Sequence, residues 1–478
     1  MDKKNDLSKA SLKHGSYSVL MVVLVLAFLV AVNILVNKLP VSWVSYDMSD
    51  VKLYSIGDKT RDVIKTLDED VTIYLIGETG NYDHILSQML DLYEEQSSKI
   101  HVKNLDMNRE FAILKQYNLD QQTIENGSVL VVSAERQKFI PESEIYELDY
   151  TQYYQSGYTD VLYNYDGEGE ITSALIYVTT KEIPNICVVT GHNESELGST
   201  ITASIKKANY DIQTINLATG SIPQECDILF LNSPQTDYSA DECNKIRDYV
   251  DMGGKLFINC TYENYDTENF RNLLLYCGVE LKQGVVFEQA DHSKDQQTPF
   301  VYYANVSSSH SVTSNISQNS YVYVYISTGL FTADTKKNTL TIKPFMQTTD
   351  GAFQRVDYKT ESSITKTATD IAGPLTIGLT GEDSLTGMKM VVFGCASLVE
   401  DGLLMSYPNV VNSDVYISAL NYLCSFDRSV SIPVKTTDFG ENLYMASSRN
   451  LALIITAAVI PIVVLLIGFI VWYRRRNR

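Results

Sequence analysis

Asn185-Ile-Cys-Val-Val-Thr190-Gly-His-Asn-Glu194 decides how the chain reads. Ile186 to Val189 is an unbroken apolar run of strand length, as in a strand covered on both faces. The run stops at Thr190-Gly191, and Leu197, Ile201, Ile205 and Ala208 then form a helical stripe. The same alternation recurs downstream. Residues 210–217 predict a second strand and Asp227-Ile-Leu-Phe-Leu-Asn232 a third. Ser239-Ala-Asp-Glu242 is a capping box that opens a helix with Ile246, Tyr249 and Val250 inward, closed by Gly253-Gly254. Lys255-Leu-Phe-Ile-Asn-Cys260 is the fourth strand. Strands and helices alternating at these lengths predict a parallel, doubly wound α/β sheet.

The unit spans 184–428. Its stretch from about 280 to 370 is rich in Ser, Thr, Tyr and Gln and holds short runs such as Tyr321-Val-Tyr-Val-Tyr-Ile326, which predict a β-rich insertion. Pro374-Leu-Thr-Ile-Gly-Leu379, Met388-Lys-Met-Val-Val-Phe393 and a helix over 413–423 read as later elements of the same sheet.

Upstream, 47–148 reads as a smaller α/β unit. Ser55-Ile-Gly-Asp58 is a helix start signal. Val71-Thr-Ile-Tyr-Leu-Ile76 is a strand, and a helix from about Asp83 turns Leu86, Met89, Leu90 and Tyr93 to one face. A strand over 100–105, a helix over 110–117, a strand over 128–133 and a last strand over 137–140 complete the order βαβαββ. That order is thioredoxin-like, but the unit has no cysteine, so the likeness is architectural only. Residues 149–183 read as a linker and a helix around Glu170-Ile-Thr-Ser-Ala-Leu-Ile-Tyr-Val-Thr179.

Apolar segments lie at 17–36 and 451–473, and neither contains Lys, Arg, Asp or Glu. Each is about the 20 residues that a bilayer core requires, so both are expected to be transmembrane helices. A cleaved signal peptide is the rival for the first, but the segment is too long and no small-x-small site follows. A buried core helix is the rival for the second, and the Arg-Arg-Arg that ends it argues against that. Lys3, Lys4, Lys9 and Lys13 precede the first segment, and Arg474, Arg475, Arg476 and Arg478 follow the second. The tails 1–16 and 474–478 are therefore expected in the cytoplasm, with the body outside a cell membrane crossed twice.

The whole chain carries a formal −20, and the two basic tails together contribute +6, so the remainder carries −26. A body that acidic excludes nucleic acid as a partner. No phosphate loop, Cys-x-x-Cys or other cofactor motif occurs. The seven cysteines are odd in number and sit in or beside apolar runs, which favours buried single thiols over a disulfide framework. Cys260 ends a strand, but Asn259 and Thr261 flank it without the small residues of a nucleophile elbow. Asp291-His-Ser-Lys-Asp295 is a polar loop triplet of the kind that arises by chance.

The turn at 190–194 lies where open α/β sheets usually bind ligands. His192, Glu194 and Glu196 form one polar group there. Either they hold a ligand, or His192 packs in the turn while Asn193, Glu194 and Glu196 cap the next helix. The cap reading is preferred, and no metal set is completed.

Several strings in order resemble the GldG-like family, the auxiliary component of gliding-motility-type ABC transport systems. They are Leu53-Tyr-Ser-Ile-Gly-Asp-Lys-Thr60, Asp70-Val-Thr-Ile-Tyr74, the 170–179 helix, Thr190-Gly-His-Asn-Glu194, Gly220-Ser-Ile-Pro223, residues 248–256, His310-Ser-Val-Thr313 and Val391-Val-Phe-Gly394. The resemblance implies a second unit like class I glutamine amidotransferases, without their Gly-x-Cys-x-Gly nucleophile. It implies a non-enzymatic exterior subunit beside an ABC permease and a separate ATPase. Asn193 stands where the family usually has glycine. A free-standing envelope scaffold or adhesion protein, and a degenerate hydrolase, are the alternatives from other classes.

Overall fold

The computed structural model describes residues 52–437 apart from 120–123, 149–156, 158–162, 289–297, 318–319, 357, 359–364, 408–409, 425–431 and 433, together with single positions 23, 27, 470, 473 and 474. Apart from those single positions, the expected membrane segments at 17–36 and 451–473 and their basic tails lie outside the described residues, as does the 291–295 triplet. Among the described residues no helix is long and apolar enough to cross a membrane.

The first unit has the expected βαβαββ order. Its sheet runs β2-β1-β3-β4, built from β1 (Val71–Gly77), β2 (Ile100–Asp106), β3 (Val129–Val132) and β4 (Gln137–Ile140). β1 and β2 are parallel, and β3 is antiparallel to both β1 and β4. Helices α1 (Asp58–Lys65), α2 (His84–Gln96), α3 (Phe111–Gln116) and the single turn α4 (Glu142–Ile145) accompany it. The Asp83 carboxylate caps α2 by accepting from the Leu86 N–H at 2.7 Å. Val71, Ile73 and Leu75 of β1 meet Leu86, Met89, Leu90 and Tyr93 in one core, as alternation on the strand and 3.6-residue spacing on the helix require. The start of α1 departs from the expectation. Ser55 bonds back to the Lys52 carbonyl, and Gly57 is the N-cap.

Helix α5 (Gly167–Thr179), which contains the 170–179 stretch read beside the linker, is buried along nearly its whole length. Ile171, Ala174, Leu175 and Val178 join the core of the first unit. Beyond its first turn this helix carries no charged residue, and apart from Tyr177 only small and apolar ones, so it has little surface suited to water.

The second unit opens with β7 (Asn185–Val189), α6 (Ser199–Lys207), β8 (Asp211–Ile215), β9 (Ile228–Asn232), α7 (Ala240–Asp251), β10 (Lys255–Asn259) and α8 (Glu268–Tyr276). Of the stretch read as an insertion, β13 (Val301–Val306), β14 (Val322–Tyr325), β15 (Leu330–Thr332) and β16 (Leu340–Gln347) join the main sheet, and β11 (Val279–Leu281) pairs with β15. β12 (Val285–Phe287), β17 (Phe353–Arg355) and β18 (Ile371–Ala372) form a separate small sheet. The chain then returns through β19 (Thr376–Asp383), β20 (Lys389–Phe393), α9 (Asp401–Ser406) and α10 (Asn412–Cys424).

β8-β7-β9-β10-β20 is a parallel set with the order second, first, third, fourth, fifth. α6 and α10 cover one face and α7 and α8 the other, so this half is doubly wound. The expectation of a parallel sheet holds only for this half. The tight turn from β19 to β20 makes those strands antiparallel, and β16 and β13 extend the sheet antiparallel beyond them.

Cysteine pairing is a second correction. Cys187 and Cys226 form a disulfide with their Cα atoms 5.8 Å apart. Pairing Ile186 with Ile228 across parallel strands brings the two together, which their separation in sequence hides. Cys243, Cys260, Cys277, Cys395 and Cys424 are free, and all but Cys424 are buried. Elsewhere β5 (Tyr146–Leu148), β6 (Tyr163–Tyr165) and β21 (Lys435–Thr437) form a three-stranded sheet that joins the first unit to the far end of the body.

Candidate functional site

The parallel set reverses direction of build between β7 and β9, and the crevice at their carboxyl ends is the switch point where such sheets bind ligands. His192 sits there. The Thr190 N–H bonds the Ile215 carbonyl at 2.9 Å, holding the loop to β8. Gly191 follows with φ +118°, and a Cβ there would stand 2.6 Å from the Asn216 amide nitrogen, so only glycine fits. The His192 carbonyl accepts from the N–H groups of Gln235 (3.0 Å) and Thr236 (2.9 Å), which ties the loop after β7 to the loop after β9.

The side chains converge as well. The Glu194 carboxylate accepts the His192 N–H at 2.8 Å, and its Oε1 lies 3.6 Å from His192 Nδ1. On the other ring nitrogen, Nε2 stands 3.3 Å from Glu242 Oε2. Tyr238 meets the imidazole edge-on, with ring centroids 4.7 Å apart. The Glu194 and Glu242 side chains are only 6% and 4% exposed, so both carboxylates depend on protein partners. Glu242 has them. Its carboxylate accepts from the Ser239 N–H (2.8 Å) and hydroxyl (2.7 Å), completing the capping box of α7. Burial pushes this carboxyl up, but Ser239 and His192 outweigh it and leave the group below its ordinary range. Burial pushes the Tyr238 phenol well above its ordinary value.

Below the histidine lies a layer of amides. The Ser195 N–H bonds the Asn232 carbonyl at 2.9 Å, and the Asn232 amide donates back to the Ser195 carbonyl. Asn259, which ends β10, donates to Asn232 Oδ1 at 2.7 Å and to the Tyr416 hydroxyl at 2.9 Å. Ser233, at φ +50°, turns the chain after β9 and bonds Asn264 at 2.9 Å. These contacts fix the strand ends as one hydrogen-bonded block.

Of the four predicted site residues, His192 and Glu194 are brought together. Asn193 and Glu196 do not cap the helix. Asn193 adopts φ +54°, a left-handed turn that asparagine tolerates, and Glu196 is exposed. α6 begins five residues beyond Glu194, with Gly198 as its N-cap. Its free N–H groups are taken by Asp401, whose carboxylate accepts from Ser199 (2.8 Å) and Thr200 (2.9 Å). Sequence reasoning missed Glu242, Tyr238, Asn232 and Asn259 as neighbours of His192. One signal was present: two successive apolar strands each end in asparagine.

Cys260, just past Asn259, is fully buried, and burial alone pushes its thiol far above the ordinary range. Among the described residues no group of three or more His, Cys, Asp or Glu side chains is arranged to hold a metal ion. A cleft of about 540 Å³ opens at the opposite, amino-terminal ends of β7 and β8, lined by Glu182, Asn185, Asp211, Gln213, Glu225 and Asp227. It does not include His192. The strand-end cluster is the better candidate because its groups converge on one another, whereas the cleft is a shallow acidic surface.

Residues 183–382 match a family described as an ABC-type uncharacterized transport system, and residues 50–139 match a domain of unknown function (DUF7088). No curated protein matches the chain. Solved structures similar in part include the N-terminal domain of mmIFT52, at 14% identity over 51% of this chain and 98% of that one, with a TM-score of 0.39. A ThuA-like protein from Bacteroides uniformis ATCC 8492 is 12% identical over 52% of this chain and 95% of its own, with a TM-score of 0.34. PurLQS from Thermotoga maritima is 12% identical over 51% and 100%, with a TM-score of 0.29. These are likenesses of α/β architecture alone.

Proposed function

We propose that this chain is the auxiliary subunit of an ABC transport system, of the GldG-like kind, held to the cell membrane by helices at 17–36 and 451–473 with both termini cytoplasmic. The match of residues 183–382 to a transport-system family carries the reading. In it the acidic body works outside the membrane, binding a substrate or partner beside a permease and a separate ATPase. The first unit's strand order β2-β1-β3-β4 supports a thioredoxin-like scaffold without redox chemistry, since that unit has no cysteine. The role is non-enzymatic. Its support is that the thiol nearest the strand ends is buried and hard to ionise, and that His192 is engaged by two carboxylates rather than by a nucleophile.

Purification of the tagged full chain from its native membrane tests this. The expected result is that an ATPase and a multispanning permease co-purify in fixed ratio. Recovery of the chain alone, or with envelope polymer and no ATPase, would overturn the transport reading in favour of a scaffold.

A further inference from the structure

The hairpin of β13 and β14 ends the main sheet and turns its two faces to different uses. Tyr302, Ala304, Val322 and Val324 belong to the core. The alternate residues point away from it, and the register sets Tyr303 beside Tyr323 and Val301 beside Tyr325. Three pairs of rings follow one another on this outer face. Tyr321 meets Tyr303 with ring centroids 5.0 Å apart, Tyr323 stacks on Tyr407 at 4.5 Å, and Tyr325 meets Phe300 edge-on at 6.3 Å. Tyr303 also stands 6.0 Å from Tyr323, so the first pair runs on into the second. Of the Tyr and Phe side chains described between residues 52 and 437, only Tyr321 and Tyr325 are exposed, at 59% and 41%. They are the two ends of this strip, and the rise of a strand places them about 13 Å apart.

The surroundings of the strip narrow its partner. From Gln296 to Ala333 the chain has no Lys, Arg, Asp or Glu, although the body as a whole is strongly acidic. A charged ligand finds no opposite charge in that stretch, and a polyanion or a second copy meets a repelling body. A peptide added as a further strand is excluded as well, because the outer edge of β14 is taken. The Asn412 side chain accepts the Tyr323 N–H (2.9 Å) and donates to the Tyr323 carbonyl (2.8 Å). The Val411 N–H donates to the Tyr321 carbonyl (3.1 Å), and the Ser397 hydroxyl to the Tyr325 carbonyl (2.6 Å). Two strands over this length present on the order of 100 Å² of flat face, far below the ~800 Å² that each partner gives to a stable protein interface.

What remains on offer is a row of ring faces tipped with hydroxyls, with the exposed Asn305 on the same face of β13. Aromatic faces pack against the C–H faces of sugar rings, while phenol and amide groups hydrogen-bond sugar hydroxyls. Sugar chains linked through equatorial positions are extended and flat, so successive rings can lie along a straight strip.

We propose that the strip from Tyr321 to Tyr325 binds an uncharged, equatorially linked polysaccharide along the β13–β14 hairpin. This names the partner that the body holds outside the membrane, and its use there rests on the reading above.

Calorimetric titration of the detergent-solubilised full chain with chitohexaose and cellohexaose is the test. One of the two should bind, with an affinity little changed between low and high salt because no ion pair is formed. Tyr321→Ala and Tyr325→Ala should each weaken binding about tenfold, as the loss of an aromatic anchor does. Their melting temperatures should match the wild type, since both side chains are exposed. Leu385→Ala, at an exposed apolar position in the β19–β20 turn, should leave binding intact. Failure of the folded full chain to bind either hexasaccharide would overturn the proposal. So would binding that both tyrosine variants retain, a steep loss of affinity with salt, or self-association of the wild type that Tyr321→Ala abolishes in sedimentation. None of these outcomes touches the co-purification of an ATPase and a permease, so the transport reading stands or falls separately.

Discussion

His192 Nε2 lies 3.3 Å from Glu242 Oε2, and through this contact the loop after the first parallel strand is joined to the helix after the third. The link crosses the switch point of the sheet. An imidazole held there between the carboxylates of Glu194 and Glu242 braces the crevice before it does anything else.

His192→Ala should therefore lower stability by roughly 1–2 kcal/mol, because it removes the imidazole that stands between the buried carboxylates of Glu194 and Glu242 and leaves them only their N–H and hydroxyl donors. Denaturant midpoints of the body would show it, with partner capture unchanged under folding conditions. A variant with an unaltered midpoint that no longer supports transport would make His192 a ligand residue.

Asp401→Ala should cost about 1 kcal/mol at neutral pH, as the loss of an N-cap does, because α6 has no cap from its own sequence. The backbone N–H of Thr200 and the other groups at that helix start hold the Asp401 carboxyl down to about 2. A depressed carboxyl contributes stability that is present above its unfolded value of 3.8 and lost as pH falls through about 2. Acid titration of the wild type, followed by circular dichroism, should show this component, and Asp401→Ala should lack it.

Asp166 predicts the opposite slope. Burial pushes its carboxyl up to about 6, and Lys207 offsets only part of that. Lys207 is itself pulled down by burial, yet Asp166 and Glu170 carry it above its ordinary value, so it stays charged across this range. The folded state then binds the Asp166 proton more tightly than the unfolded chain does. The contribution is complete below 3.8 and lost as pH rises through about 6. Urea midpoints measured across this interval should decline for the wild type and flatten in Asp166→Asn.

Glu168→Ala should destabilise the body by roughly 3 kcal/mol or more, because it strands the buried Lys435 ammonium and removes the acceptor of Gly57 and Thr60. Glu168→Gln should cost less, since an amide oxygen still accepts. Equal midpoints for the two variants would show that the charge matters more than the hydrogen bonds.

Local patterns carried most of the elements. The unbroken run at Ile186–Val189, the capping box at Ser239 and Glu242, and the helix from about Asp83 with its stripe of Leu86, Met89, Leu90 and Tyr93 all appear in the structure as the chain implies. The failures share one cause. Asp401 caps a helix 202 residues upstream, Cys226 meets Cys187 only after two strands pair, and Glu242 faces His192 only once the sheet is closed. None of these partners lies within a helical turn or a hairpin of the residue it serves. The antiparallel turn from β19 to β20 is a different case, because the short connection from Asp383 to Lys389 already rules out the dozen or more residues that a parallel crossover needs.

Helix α5 leaves no clean seam between the two units. Its apolar side fills the first core, while the Ser173 hydroxyl donates to the Lys207 carbonyl and the Asn209 amide donates to the Ser173 carbonyl, both partners lying in the second unit. Expressing the second unit from residue 184 would leave the Lys207 carbonyl without its donor and the Asn209 amide without its acceptor, and ending the first unit at 148 would open its core where Leu175 belongs. A fragment that keeps 163–183 on the first unit still breaks the polar contacts, and one that gives them to the second removes the side of a hydrophobic core. Residues 52–437 are thus best handled whole, since no cut near α5 leaves both halves with a closed core and satisfied polar groups.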